Sequence, residues 1–265
     1  MNTKLKSFPV MQDDNNVNYS ELNFKIKKNP VEASKERLSE LNAGFRNKHP
    51  DEVLKWGYEM FGKKMTLGTG FGPSGVFLIH RLHELGLQSP VFFLDTNLHF
   101  RETYELRDRL QEKLGIRIQR ITPEYSLDEQ AERFGDELWN KNPNRCCFIR
   151  KVRPLRAYLA DKSAWITGIR RNQSGSRSKT EIVEYDSECD VIKLNPLAYW
   201  NGDQLWDYIR DHELPYNPLH DEGFPSIGCI PCTQPVESGE EERSGRWKDS
   251  GKTECGIHLP AQTGS

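Results

Sequence analysis

One cysteine near the C-terminal end of the sequence has the surroundings of a nucleophile. Cys255 stands in the segment Glu254-Cys-Gly-Ile-His258, and Lys252 precedes it. Positive charge beside an accessible thiol favours the thiolate, which is the reactive form. The stretch from residue 239 to residue 247 is too polar for a core element and indicates a mobile segment. The sequence therefore predicts a nucleophilic thiol on a movable arm, with a functionless exposed cysteine as the alternative.

Four further cysteines form two pairs that suit a metal centre. Cys146 and Cys147 are adjacent, and Cys229 and Cys232 form a Cys-x-x-Cys motif with proline inside it, whereas Cys189 matches no partner. Four thiolates bind either a zinc ion or an iron–sulfur cluster. Neighbouring side chains on a helix point about 100° apart, which makes convergence on one ion awkward. The spacing therefore favours a cluster, while zinc and unrelated buried cysteines remain open.

A glycine-rich run between a predicted strand and a predicted helix suits an anion. It reads Gly-Thr-Gly-Phe-Gly-Pro-Ser-Gly from Gly68 to Gly75. Exposed backbone N–H groups at a helix N-terminus attract phosphate or sulfate. No Gly-Lys-Ser/Thr follows, so the run is not a Walker A loop. Counted from Gly70, the run fits the motif Gly-x-Gly-x-x-Gly, and Asp95 lies about 20 residues after Gly75, its last glycine. A dinucleotide site and a ligand-free turn therefore stay open.

Basic side chains concentrate at three places in a chain whose formal net charge is −2. Arginine forks match the oxygens of phosphate and sulfate, so the clusters indicate a small, highly anionic ligand; a solvated surface face is the alternative. A chain without a global basic field is a poor candidate for nucleic-acid binding. The clusters are Arg145, Arg150, Lys151 and Arg153 around the first cysteine pair, Arg170, Arg171 and Arg177 after a predicted strand, and Arg243 and Arg246 before the tail.

The elements that position these groups alternate between strand and helix. Strands separated by helices of this length predict an α/β, doubly wound, mostly parallel sheet, with ligands beyond the C-terminal strand ends. The predicted strands are 64–67, 91–94, 116–121, 164–167 and 191–194, and the predicted helices are 32–45, 49–61, 76–85, 101–114, 127–134 and 203–211. We expect a flexible arm at 1–45, an α/β domain with the metal site at 46–236, and a mobile tail at 237–265.

Composition narrows the class of protein. A chain of 265 residues is long enough for one domain with a full core. Its mean hydropathy is −0.76, and no run approaches the ~20 apolar residues of a membrane span. The first residues lack the apolar run of a signal peptide, and the six cysteines are too unevenly placed for a secreted disulfide framework. We expect a cytoplasmic protein with no membrane partner.

The cysteine pairs and the tail together resemble the assimilatory adenylyl-sulfate (APS) reductases, relatives of the phosphoadenylyl-sulfate (PAPS) reductases. The resemblance runs from about residue 50 to residue 259. Supporting segments are Leu94-Asp-Thr96, Glu102-Thr-Tyr104, Trp165-Ile-Thr-Gly-Ile-Arg-Arg171, Pro215-Tyr-Asn217 and Arg243-Ser-Gly-Arg-Trp247. The Glu-Cys-Gly-x-His tail is specific for the combined family, and the four paired cysteines mark the APS-using branch.

The resemblance implies an adenine-nucleotide α-hydrolase-like fold and the reduction of APS to sulfite and AMP, as in cysteine biosynthesis. It implies that Cys255 carries an S-sulfo intermediate, that thioredoxin or glutaredoxin is the reductant, and that Cys146, Cys147, Cys229 and Cys232 hold a [4Fe-4S] cluster. A homo-oligomer is compatible with it. The substrate residues that it assigns are Thr69, Gly70, Gly72, Leu94, Lys151, Gly168, Arg171, Arg177, Arg243, Arg246 and His258.

Two positions depart from the family pattern, and two other functions stay open. Phe71 replaces a hydroxyl residue of the family's Ser-x-Ser-Gly turn, which puts a phosphate contact in doubt. Asn97 replaces glycine in Leu-Asp-Thr-Gly, but Asn tolerates a left-handed backbone, so we expect that turn to persist. The alternatives are a PAPS reductase that carries a metal site, and a non-catalytic iron–sulfur or zinc redox sensor.

Overall fold

Six strands form one sheet in the order β3-β2-β1-β4-β6-β5 in the computed structural model, which describes residues 35–237, 239–248 and 250–258. The sheet is parallel except for β5, which runs antiparallel to β6. This confirms the mostly parallel α/β architecture. The strands are β1 (Met65–Gly68), β2 (Val91–Leu94), β3 (Ile118–Ile121), β4 (Ala164–Ile166), β5 (Val183–Asp186) and β6 (Val191–Leu194).

The helices of the described residues connect these strands and cover the sheet. The predicted helices at 101–114 and 127–134 are confirmed, whereas α3 begins at Pro73, because proline suits the first helical turn. None of the described helices is long and apolar enough to cross a membrane. The helices are α1 (Lys35–Phe45), α2 (Pro50–Phe61), α3 (Pro73–Glu84), α4 (Arg101–Leu114), α5 (Leu127–Phe134), α6 (Leu138–Lys141), α7 (Pro143–Cys147), α8 (Arg153–Leu159) and α9 (Gly202–Asp211).

Helix α1 is part of the packed domain, so the prediction of a flexible arm up to residue 45 is wrong for residues 35–45. Leu41 and Phe45 are each 1% exposed. The Asn42 amide donates to the carbonyl of Val183 at 2.9 Å and accepts from its N–H at 2.8 Å. These two bonds tie α1 to the edge strand β5. The rest of the predicted arm, residues 1–34, lies outside the described residues.

Edge strand β5 is the strand that was not predicted from the sequence. Only Val183 of its four residues is buried, because the strand pairs on one side with β6 and lies at the end of the sheet. It therefore lacks the continuous apolar run that marks a buried parallel strand. Cys189 lies in the turn between β5 and β6.

Three loops meet at one edge of the sheet because β1 pairs with both β2 and β4. The glycine-rich run follows β1, the turn at Asp95 follows β2, and Thr167-Gly168 follows β4. The C-terminal ends of neighbouring parallel strands are the usual ligand-binding edge of such sheets. The fold thus brings together segments that are up to about 100 residues apart in the sequence.

Candidate active site

A cavity of about 240 Å³ lies beyond the C-terminal ends of β1, β2 and β4. It is lined by the glycine-rich run, the start of α3 and the tail. The predicted site residues that the structure brings together here are Thr69, Gly70, Gly72, Leu94, Lys151, Gly168, Arg177, Arg243, Arg246, Cys255 and His258. Their roles toward a substrate remain predictions.

Arg171 is the predicted substrate residue that does not line this cavity. Its Nε donates to the carbonyl of Ser178 at 2.5 Å, and its Nη1 donates to the Tyr199 hydroxyl at 2.7 Å. The neighbouring Arg170 lies in the cavity wall instead, is 3% exposed, and donates from Nη2 to Glu242 at 2.5 Å. Successive side chains point in different directions where a 3₁₀ turn begins at Arg171, so the sequence alone did not show which member of the pair lines the cavity.

The glycine-rich run owes its shape to Thr69 rather than to a second hydroxyl. Thr69 Oγ1 accepts the N–H of Phe71 at 2.9 Å. Phe71 has a left-handed backbone with φ of +60°, and its buried ring packs on Phe93 at 5.3 Å between centroids. A Cβ on Gly75 would lie 2.4 Å from Thr69 Oγ1. Gly72 caps α3, so the first backbone N–H groups of this helix border the cavity and suit an anion.

The turn after β2 keeps its predicted shape and does not supply a ribose ligand. Asn97 has φ of +57°, which confirms the expected left-handed backbone. Asp95 is fully buried and accepts hydrogen bonds from Tyr104 at 2.7 Å and from Arg120 at 2.5 Å. Burial alone would raise the pKa of Asp95, but these hydrogen bonds and that from the N–H of Asn97 lower it. The carboxylate holds the turn together and does not line the cavity, which argues against the dinucleotide alternative.

Two arginines hold the tail against the cavity through Glu254. Arg177 binds this carboxylate bidentately, with Nε–Oε1 at 2.6 Å and Nη2–Oε2 at 3.0 Å, and Arg243 Nη2 lies 3.2 Å from Oε2. Burial alone would raise the pKa of Glu254, but the hydrogen bond and charge of Arg177, with Arg243, lower it. Cys255 follows directly, is 8% exposed, and packs with Cys147 and Trp247.

His258, the last residue of the tail motif, lies in the cavity as a neutral ring. It stacks on Trp165 with a centroid distance of 5.2 Å and an interplanar angle of 13°. Burial is the main cause that lowers the pKa of His258 well below its usual value, and the charges of Lys193 and Arg177 add to it. Its Nδ1 is buried and has no hydrogen-bond partner among the described residues. The tail thus contributes both a thiol and an aromatic wall to the cavity.

The four paired cysteines line a second, smaller cavity next to the first. Cys146 and Cys147 end α7, and Cys229 and Cys232 flank a 3₁₀ turn. Their thiols are free. Within the described ranges, no three His, Cys, Asp or Glu side chains are arranged to hold a single metal ion.

Two buried cations accompany these thiols. Arg150 is 1% exposed, and its Nη2 has no hydrogen-bond partner among the described residues, although Nε donates to the Thr96 carbonyl at 2.6 Å. Lys151 lines both cavities. Burial alone would raise the pKa of Cys229, but Lys151 and the Thr96 hydroxyl outweigh it and lower this pKa. Burial is the main cause that raises the pKa of the other three cysteines. Four cysteines that line one cavity beside two cations fit a bound group of net negative charge, as a thiolate-bound iron–sulfur cluster is.

A π-helical turn, Phe148–Val152, joins α7 to α8 and connects the two cavities. Such turns insert an extra residue into a helix and are frequent at functional sites. Here the turn lies between the cysteine pair and α8 and places Lys151 between the thiols and the larger cavity. Burial alone would lower the pKa of Lys151, but Cys229, Cys255 and Cys147 outweigh it and raise this pKa, so the side chain is an ammonium ion.

The sequence matches a known protein family over more than half of its length. The model of the phosphoadenosine phosphosulfate reductase domain matches residues 64–235. An adenosine 5'-phosphosulfate reductase of Salinibacter ruber is 52% identical over 226 residues, which cover 85% of this chain and 90% of the relative. A Bacillus subtilis protein with the name adenosine 5'-phosphosulfate reductase 2 is 46% identical over 208 residues, or 78% of this chain and 88% of the relative.

Solved structures agree with this result. A phosphoadenylyl-sulfate (PAPS) reductase from Candida auris superposes with a TM-score of 0.66 and 31% identity, over 77% of this chain and 98% of that one. The FMN adenylyltransferase of Candida glabrata superposes with a TM-score of 0.52 at 14% identity, over 77% and 75% of the two chains. The second likeness concerns the fold alone. Together they confirm the adenine-nucleotide α-hydrolase-like fold that the tail and cysteine motifs implied.

Proposed function

The chain belongs to the phosphoadenosine phosphosulfate reductase family, and on this premise we propose that it reduces APS to sulfite and AMP in sulfate assimilation. The observation that carries the proposal is the position of Cys255, which lies in the wall of a cationic cavity and packs against Cys147 of the paired cysteines. The curated relatives above carry the same activity in their names.

The first step is an attack by the Cys255 thiolate on the sulfur of the sulfo group. A new S–S bond forms while the bond between that sulfur and the bridging phosphate oxygen breaks, and the electron pair leaves with AMP. Lys151 and Arg246 line the cavity with Cys255, so they stabilise the negative charge that moves onto the leaving phosphate. The glycine-rich run and the N-terminus of α3 bind that phosphate.

The second step needs a dithiol reductant, for which we propose thioredoxin or glutaredoxin. One of its thiolates attacks Sγ of Cys255, sulfite leaves with the electron pair of the S–S bond, and a mixed disulfide forms. The second thiol of the reductant then restores the Cys255 thiolate. Sulfur is reduced by two electrons, and the dithiol becomes a disulfide. Such reductants keep thiols reduced in the cytoplasm, where we place the reaction.

The paired cysteines would hold a [4Fe-4S] cluster as four thiolate ligands. Bound there, the group supplies a fixed local charge beside the cavity. Lys151 lines both cavities and would couple that charge to the site where Cys255 reacts. Arg150 lines the smaller cavity, and its Nη2, which has no hydrogen-bond partner among the described residues, would help to balance the same charge.

Substitution of the nucleophile tests the proposal. Cys255→Ser removes the thiolate, so we expect sulfite production to be lost, while the iron content stays that of the wild type because Cys255 is not one of the four ligands. Cys189→Ser is the matched control, since this cysteine lies in the turn between β5 and β6, and we expect it to retain full activity. Substantial turnover by Cys255→Ser would contradict the mechanism.

A further inference from the structure

One arginine in the wall of the larger cavity, Arg246, has no carboxylate partner among the residues that the structure describes. The other three arginines of this wall form ion pairs, Arg170 with Glu242, and Arg177 and Arg243 with Glu254. An acid that holds an arginine also neutralises it. The charge of Arg246 is therefore not balanced by an acid of the described chain, and another kind of contact must hold its side chain.

Hydrogen bonds fix the Arg246 guanidinium only weakly. Nη1 lies 3.5 Å from Ser226 Oγ and 3.4 Å from the carbonyl oxygen of Ile227, and both distances exceed the usual range for N–H···O bonds. Nε is buried and has no hydrogen-bond partner among the described residues. The side chain is nevertheless well enclosed, since Arg246 is 9% exposed.

The indole of Trp247 and the backbone at Gly228 enclose this guanidinium. Arg246 Cζ lies 4.6 Å from the centroid of the Trp247 ring. The face of an aromatic ring attracts a cation, and the attraction is stronger where water is excluded; Trp247 is 5% exposed. A Cβ on Gly228 would lie 2.1 Å from Arg246 Nη2, so the guanidinium fills the space that a side chain at position 228 would need.

Trp247 is itself held in an unusual conformation. Its φ is +51°, in the left-handed region that a bulky residue rarely adopts. Its N–H donates to the carbonyl of Cys232 at 3.1 Å, and its ring packs with Cys147 and Cys255. A strained backbone of this kind persists only where the surrounding structure holds it, and it is most frequent at functional sites. The ring is therefore a fixed surface beside the nucleophile.

We propose that Trp247 is a positioning residue that holds Arg246 at the cavity through a cation–π contact. The indole fixes the guanidinium without neutralising it, so the full charge acts on the anionic end of the substrate. The inference rests on the proposed function and deepens it. The ring also lies 5.7 Å from Lys252 Nζ and 5.8 Å from Arg243 Cζ. Those two cations have polar partners of their own, the Asn144 side chain and Glu254, so Arg246 is the cation that depends on Trp247.

The test compares the affinities of AMP and adenosine for the holoenzyme by calorimetry. Trp247→Leu keeps an apolar side chain and removes the aromatic face, so we expect the Kd of AMP to rise on the order of tenfold. The Kd of adenosine should not change, because Arg246 acts on the charged end of the ligand. Trp247→Phe keeps an aromatic face and should lose less. Trp200→Leu is the matched control, since this indole packs on Phe77 and lies outside the cavity wall.

A change that preserves the shape of the ring provides a second test. A tryptophan with a fluorinated ring, inserted at position 247 alone, weakens the negative face of the indole. We expect it to weaken AMP binding and to leave adenosine binding unchanged, and this result does not depend on whether Trp247→Leu folds.

A double-mutant cycle with Arg246→Met connects the effect to the arginine. Without the guanidinium, Trp247→Leu should cause little further loss of AMP affinity. The proposal is overturned if the two losses add, if AMP and adenosine weaken equally, or if the fluorinated ring leaves AMP binding as it is in the wild type. Sulfite production from APS by the wild type tests the proposed function separately, since it does not depend on these variants.

Discussion

At the scale of single residues, Glu254 links the tail that carries Cys255 to the rest of the domain. Its carboxylate forms a bidentate ion pair with Arg177 and accepts a third hydrogen bond from Arg243. Charge-assisted bidentate pairs are among the strongest and most directional contacts in proteins. Because the next residue is Cys255, the geometry makes Glu254 a positioning residue that holds the thiol at the cavity.

Glu254→Gln is therefore expected to loosen the tail. The amide loses the charge that both arginines recognise, so we expect kcat/KM for APS to fall roughly tenfold to a hundredfold. The rate at which a small alkylating reagent modifies Cys255 without substrate is expected to rise, because the thiol spends more time away from its buried position. Glu240→Gln, an exposed change in the same segment, is the control. Unchanged alkylation in Glu254→Gln would show that the carboxylate does not seat the thiol.

The sequence predicted which residue types form the site better than it predicted which side chains face the cavity. The tail motif and the paired cysteines are local patterns, so they were recognisable without a fold. A 3₁₀ turn that begins at Arg171 decides whether Arg170 or Arg171 faces the cavity. No residue type in this segment predicts where that turn begins. Glu242 was missed because an acid within a polar stretch looks like solvated surface, and only the folded chain brings it beside Arg170.

At the level of elements, the segment from α7 through the π-helical turn to α8 organises the site. It carries two of the paired cysteines at one end and Lys151 in the turn. The π-helical turn was not predictable from the sequence, because its residues, Phe-Ile-Arg-Lys-Val, are compatible with an ordinary α-helix. The adjacent cysteines were the available signal that this helix serves a multi-thiol site.

Metal content tests the role of this segment. We expect the wild type, purified without oxygen, to contain about four irons and four sulfides per chain. Cys146→Ser and Cys229→Ser each remove one thiolate ligand, so both are expected to lose most of the iron and the brown absorbance. Cys189→Ser should keep both. One zinc and no iron in the wild type would contradict the cluster, and so would full iron retention in the ligand variants.

The mostly parallel α/β architecture was predictable because the alternation of strand and helix is long and regular. Two of the departures from the prediction arose where tertiary contacts decide the structure. Helix α1 is weakly amphipathic and becomes part of the core through Leu41, Phe45 and the bonds of Asn42 to β5. The partner strand itself is short and half exposed, so neither element is evident without the other.

At the scale of the whole molecule, a buried histidine links helices α3 and α9. His80 Nδ1 on α3 and the Tyr208 hydroxyl on α9 are 2.7 Å apart. Burial is the main cause that lowers the pKa of His80 from 6.5 to about 4, although Glu84 opposes it. The folded protein therefore prefers the neutral ring, whereas the unfolded chain binds a proton below about pH 6.5.

This difference predicts a loss of stability in mild acid. The contribution is intact above pH 6.5 and decreases as the pH falls toward 4, because only the unfolded state takes up the proton. Between pH 7 and pH 5, His80 should lower the free energy of unfolding by on the order of 2 kcal/mol. In urea unfolding, the free energy of unfolding of His80→Gln should therefore change less between pH 7 and pH 5 than that of the wild type, by about this amount. The control is His83→Gln, an exposed change on the same helix, which should keep the pH dependence of the wild type. Identical pH dependence in His80→Gln and the wild type would contradict this account.

The central claim is that Cys255 takes the sulfo group from APS before any reductant acts. The most direct measurement mixes the enzyme with excess APS in the absence of a dithiol, and then determines AMP release and the mass of each cysteine-containing peptide. The account predicts one AMP per active chain and a sulfo adduct on the peptide of Cys255, which reduced thioredoxin converts to free sulfite. Adduct on another cysteine, or sulfite release without any adduct, would contradict it.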